Sequence, residues 1–170
     1  MILDGYWKKE LSFQSRLLCI IQRPLFLLPL QEHIANKAVL LSAVAARKAF
    51  EDELWAERKA KEMTAIHFES DLLKLKISAT VRNCIDSFEH PPGHVVIESY
   101  GRPKVTSVDP RIIINNIIHA YYWDWTYNGQ NRFDGFLVAS DHKKQECLYA
   151  VKLDEWISFL ISVNNLSHID

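Results

Sequence analysis

Residues 115–125 read NNIIHAYYWDW, which puts two amides, a histidine, two tyrosines and two tryptophans into eleven positions. Asp109 and Pro110 stand just upstream. An aspartate can cap the free N–H groups that open a helix, and proline fits the first helical turn. The pair therefore predicts a helix that starts at Pro110 and carries the whole of NNIIHAYYWDW. At about 100° per residue, Ile113, Ile114, Ile117, Ile118, Tyr121 and Trp125 then share one apolar arc, the face expected to meet a core. Arg111, Asn115, His119, Tyr122 and Thr126 fall within roughly 80° of one another on a polar stripe, with Asn116 a little further round.

That stripe sets a cation, amides and a phenol beside an imidazole. Such groups orient an imidazole or hold a phosphate, and neutral histidine exchanges protons near neutral pH. Asp124 points away from the stripe, so an acid partner for His119 would have to come from another element. The plainer reading makes His119 a solvated or hydrogen-bonded residue of an amphipathic helix.

Working outward, Trp7, Leu11, Leu18 and Ile21 recur at helical spacing over Leu3 to Ile21 and predict a first helix. Pro24 and Pro29 bracket LFLL as a connector. Gln31 to Lys61 has neither Gly nor Pro and is dense in helix formers, so a long second helix is expected. Within it Arg47 and Glu51 are spaced to pair locally, and Glu51, Asp52, Glu53, Glu57, Arg58, Lys59 and Lys61 read as a solvated face. A third helix is expected from Ile66 to Phe88 on the stripe Leu72, Leu73, Ile77, Val81, Cys84, Ile85 and Phe88, ended by HPPG at 90–93. HVVIESYG alternates like an extended segment and leads to a turn at Gly101 to Pro103.

Downstream of the helix, NGQN is turn chemistry, and FDGFLVASD and ECLYAVKL read as two short strands joined by DHKKQ. DEWISFLISV reads as a capped terminal helix. The architecture expected from the sequence is a mainly α single domain over 1–170, a helical bundle with a small β-hairpin before the C-terminal helix.

With 170 residues and 48% hydrophobic content, the chain can bury one sizeable core. Twenty Lys and Arg face twenty-one Asp and Glu, so there is no overall basic field and any nucleic-acid contact needs a local patch. Cys19, Cys84 and Cys147 are odd in number, widely spaced and without a CxxC pair, which points to reduced thiols in a cytoplasmic protein. LLCIIQRPLFLLPL is broken by Gln22, Arg23 and Pro24, so neither a signal peptide nor an anchor is expected, and no membrane partner. There is no Gly-rich phosphate loop, nucleophile elbow or metal-ligand set, and His90 and His94 read as turn residues, so no cofactor or metal is expected.

The long helix containing ARKAFED, the helix reading NNIIHA, then FDGFLVASD, ECLYAVKL and the closing EWISFLISV together resemble an HEPN-like group of bacterial proteins over roughly residues 38 to 163. The sharp part of the resemblance is an RK helix and an asparagine three residues before a histidine. It implies a dimerising helical bundle and, in many members, a metal-independent endoribonuclease. There a histidine acts at the scissile phosphate, an arginine holds it and the ribose hydroxyl attacks. Carried over, His119 matches the histidine, Asn116 the polar residue before it and Arg111 the arginine. Seven residues separate Arg111 from His119, where the family pattern has four to six. That spacing puts their Cα atoms roughly 12 Å apart on a helix, which two antiparallel copies of the helix in a symmetric dimer would relieve. Arg47 is the alternative cation, and Arg47, Asn115 and Tyr122 are the candidate substrate-binding residues.

Two functions follow as expectations. One is RNA-directed, cleaving or binding RNA in bacterial defence or a toxin–antitoxin setting as a homodimer. The other is a non-catalytic interaction module: an immunity, antitoxin or scaffold protein. Trp123, Trp125, Tyr127 and Tyr149 suit either, because aromatic rings stack on bases and also anchor protein interfaces, and rings of this kind are more often core.

Overall fold

The structure is a computed structural model and describes residues 6–22, 28–64, 70–86, 97–140 and 147–166. The expected HPPG helix stop, the DHKKQ link, the loop histidines His90 and His94, and most of the LFLL connector lie outside these residues. In chain order the elements are α1 (Tyr6–Ile21), α2 (Leu28–Thr64), a 3-10 turn (Asp71–Lys74), β1 (Ile77–Asp86), β2 (Ile97–Val108), α3 (Pro110–Ile118), β3 (Ala120–Tyr127), β4 (Phe133–Ser140), β5 (Leu148–Lys152) and α4 (Leu153–Leu166). Five strands form one sheet, so the protein is α+β, and the expected mainly helical HEPN-like bundle with a single hairpin is overturned. The chain forms two compact units, Met1–Lys76 with Ile157–Asp170, and Ile77–Trp156.

In the first unit α1 buries Trp7, Leu11, Gln14, Leu18 and Ile21, a seam of alternating four- and three-residue steps. α2 answers with Gln31, Ala35, Ala38, Ser42, Ala45 and Ala49 at the same steps, all buried. Small residues on one helix let the larger ones of the other lie close, which is the packing logic of a coiled-coil hairpin. Pro29 falls in the first turn of α2, where its missing N–H costs nothing. Further along, Phe50 stacks on Phe159 of α4 with ring centroids 6.2 Å apart. The 3-10 turn is capped by Ser70, whose hydroxyl accepts the Leu72 N–H at 3.2 Å.

In the second unit the sheet order is β2-β1-β5-β4-β3, and every neighbouring pair is antiparallel. β1 replaces the C-terminal half of the expected third helix. Its Ile77 and Ala79 are buried while Ser78 and Arg82 are exposed, the two-residue period of a strand, and β-branched Ile77, Thr80 and Val81 suit that pairing. β2 continues as a strand across the expected turn at 101–103, but its register with β1 shifts there, from Val81 opposite Lys104 to Asn83 opposite Tyr100. Residues 101–103 thus form a bulge on an edge strand, which tolerates a proline that cannot donate to the ladder. α3 then carries the chain from one edge strand to the other.

α3 begins where the sequence places it. Asp109 is its N-cap, accepting the Arg111 N–H at 2.9 Å, and Pro110 fills the first turn. It stops at Ile118, and AYYWDWTY forms β3. Tyr and Trp are strong strand formers, and pairing with β4 lets Trp123 and Trp125 join an aromatic core. Trp123 stacks on Phe136 at 4.8 Å, Trp125 meets Phe133 at 4.7 Å, and Phe136 meets Trp156 edge-on at 5.9 Å. NGQN turns as expected, with Asn131 at a positive φ of 55° and its N–H bonded to the Asn128 carbonyl. The two predicted strands and the terminal helix appear as β4, β5 and α4.

Candidate functional site

The polar stripe requires Arg111, Asn115, His119, Tyr122 and Thr126 to share one helix, and they do not. His119 is the C-cap of α3, with φ −110° and ψ 33°, and its N–H closes the helix on the Asn115 carbonyl at 3.0 Å. Its side chain is exposed, as is that of Asn115. Tyr122 and Thr126 lie on β3, where successive side chains turn by about 180° and the helical stripe dissolves.

Asn116 is buried, with 3% of its surface exposed. Its amide Nδ2 donates to the Ile112 carbonyl at 2.8 Å, and its Oδ1 accepts the Ser140 N–H at 2.8 Å. Both ends of the carboxamide are engaged in the fold.

Arg111 turns back on the cap. Its Nε donates to both Asp109 carboxylate oxygens at 3.0 and 3.1 Å. The hydrogen bonding to Asp109 holds the guanidinium above its ordinary pKa, burial opposes it, and the carboxylate's charge adds to the rise. Arg111 and His119 thus sit at opposite ends of a nine-residue helix. Arg47 lies in the other unit, paired with Glu51 at 2.8 Å on the exposed face of α2, as its spacing predicts.

On β3, the Tyr122 hydroxyl donates to Asp124 Oδ2 at 3.4 Å, and Asp124 Oδ1 accepts the Trp125 N–H at 2.8 Å. Partial burial raises the Tyr122 pKa, and the charge and hydrogen bond of Asp124 raise it further. Among the described residues no three of His, Cys, Asp and Glu gather into a metal-binding group.

What the sequence reading missed is the outer side of the α1–α2 hairpin. Tyr6, Phe13 and Ile20 on α1 are 67%, 60% and 51% exposed, and Leu30, Leu40 and Val44 on α2 are exposed as well. A groove of about 400 Å³ runs between the helices over Phe13, Leu17, Ile34 and Leu41, with His33 and Lys37 on the α2 bank. On the other side of Phe13 lies a shallow depression of about 360 Å³ lined by Lys8, Lys9, Ser12, Phe13 and Arg16. Its signal was present in the sequence, since the first helix carries its cations between the core positions, but a helix wheel centred on the buried stripe leaves the opposite side unread.

No protein-family model, no curated protein and no solved structure matches the chain.

Proposed function

We propose that the protein is a non-catalytic binding module whose working surface is the outer side of the α1–α2 hairpin. The observation that carries this reading is the set of large apolar side chains left exposed on the two helices, the row Tyr6, Phe13 and Ile20 on α1 together with Leu30, Leu40 and Val44 on α2. Contiguous exposed apolar surface marks interaction sites on proteins that otherwise bury such groups. The nuclease reading has less support, because Asn116 is engaged in the fold and Arg111 is held by Asp109.

The test is incubation of the purified protein with a mixed RNA pool without added metal. The RNA stays intact, and His119→Ala behaves as wild type. Cleavage that vanishes in His119→Ala would return that residue to a catalytic role and end the module reading. We place the module in the cytoplasm, on the thiols of Cys19 and Cys147, which are free. Among the described residues no helix is long and apolar enough to cross a membrane.

A further inference from the structure

We propose that the outer face of α1 docks on an anionic phospholipid surface. The inference rests on the binding-module reading and names the partner of that surface. Tyr6, Phe13 and Ile20 are seven residues apart, so each step falls only about 20° short of two full turns and the three side chains form a nearly straight row. The row spans roughly 21 Å, at 1.5 Å per residue. Lys9 and Arg16 repeat the same seven-residue step about 60° round the helix, so a cationic row runs beside the apolar one. Both cations are exposed, and among the described residues neither meets a carboxylate. Lys8 adds a third positive charge, its ammonium 5.9 Å from the Trp7 ring centroid. Across the groove, Lys37 and His33 stand on the far bank. The acid on this side, Glu10, accepts a hydrogen bond from Gln14 at 2.6 Å.

An interfacial helix needs this combination. Apolar side chains enter the boundary between headgroups and acyl chains, while flanking lysines and arginines stay level with the phosphates. The aliphatic members of the surface decide between a bilayer and a nucleic acid. Ile20, Leu30, Leu40 and Val44 have no ring to stack on a base, whereas a single-strand platform depends on aromatic stacking. A lipid interior takes aliphatic and aromatic groups alike. The sequence-based expectation of no membrane partner followed from the absence of a spanning segment, and a helix lying on a surface needs none.

The experiment is sedimentation of the full chain with vesicles of phosphatidylcholine alone or with about 30% phosphatidylserine, at about 0.1 M and about 0.5 M salt. Wild type pellets with the anionic vesicles at low salt, and binding weakens at high salt. Each cation is worth about fivefold in partitioning, so Lys9→Glu with Arg16→Glu weakens binding at least 20-fold or so. Phe13→Ser weakens it about tenfold or more through lost insertion. Lys104→Glu, an exposed cation of β2, leaves it unchanged. Melting curves of all variants match wild type, because the altered side chains are exposed. Three results overturn the proposal: no pelleting with anionic vesicles, equal pelleting with neutral ones, or undiminished binding by the Lys9→Glu, Arg16→Glu variant. Retardation of single-stranded RNA, lost in that variant without vesicle binding, also overturns it and assigns the face to nucleic acid. Failure of vesicle binding while RNA stays uncut removes the lipid and leaves the module reading standing.

Discussion

The Asn116 carboxamide accepts the Ser140 N–H at 2.8 Å, across 24 residues of sequence, and so fixes α3 to the last residue of β4. Ser140 is itself buried, so its N–H has no water to turn to. Asn116→Ala leaves that donor unsatisfied, and the expected loss is about 1–3 kcal/mol of stability. Urea unfolding followed by circular dichroism checks it. A midpoint unchanged from wild type would show that the carboxamide is not needed to hold α3.

Gly135 sits on β4 opposite Lys152 of β5. A methyl group there would stand 2.3 Å from the Val151 carbonyl oxygen and 3.1 Å from the Lys152 Cα, both backbone atoms that cannot swing aside. Gly135→Ala therefore forces the two strands apart at the middle of the sheet. The expected destabilisation is at least about 1–3 kcal/mol, as for other overpacked sites. A thermal melt equal to wild type would mean that β4 and β5 yield at no cost.

Tyr122 ties stability to alkaline pH. The folded chain holds the phenol's proton more tightly than the unfolded chain, whose tyrosine ionises near its ordinary value of 10.0. The stability this contributes is complete below that value and drains away as pH rises through the higher folded-state pKa. Tyr122→Phe should flatten the fall in melting temperature over this range. Asp124→Asn removes the charge and should bring the phenol closer to its ordinary value, leaving the part due to burial. A difference titration of phenolate absorbance between wild type and Tyr122→Phe reads the value directly, and a value at or below the ordinary one would contradict the Tyr122–Asp124 contact.

Gln14 occupies a core position of the α1 seam. Its Nε2 reaches Glu10, but its Oε1 is buried without a hydrogen-bond partner among the described residues. A buried acceptor left unmade costs on the order of 1–3 kcal/mol. Gln14→Leu fills the same volume without that cost, so the melting temperature is expected to rise by a few degrees. A polar residue in a helical seam also fixes register. Broadened amide resonances in the variant would show that the native glutamine sacrifices stability for a single packing of α1 on α2.

Much of the architecture is legible in the sequence, and the misread parts have physical causes. α1 and α2 bury heptad-spaced positions over many turns, and Asp109–Pro110 carries its own start signal, so local pattern and final structure agree. β1 was misread because Leu72, Leu73, Ile77 and Val81 satisfy a helical spacing, while the alternation of Ile77, Ser78 and Ala79 is too short to compete until β2 and β5 pair with it. β3 was misread because Tyr121 and Trp125 continue the isoleucine arc of α3 on a helical wheel. The strand preference of Trp125 wins only once β4 supplies Phe133 and Phe136 for its ring to meet. The helical stripe ends with α3, since a stripe drawn at about 100° per residue has no meaning for residues of β3 that alternate at about 180°. The α1 face was legible in composition but not in geometry, because its significance depends on which side of the helix α2 covers.

The stacking of Phe50 on Phe159 imposes an order of events on the ribosome. The α1–α2 hairpin emerges before α4, and one of its aromatic partners is 109 residues later in the chain, the difference between positions 159 and 50. At about 5–20 residues per second, the nascent helix keeps the Phe50 ring waiting for roughly 5–20 s while the sheet is translated. During that interval its surface is open to chaperones. Loss of α4 to a premature stop codon would leave Phe50 without this ring and the hairpin a substrate for quality-control proteases.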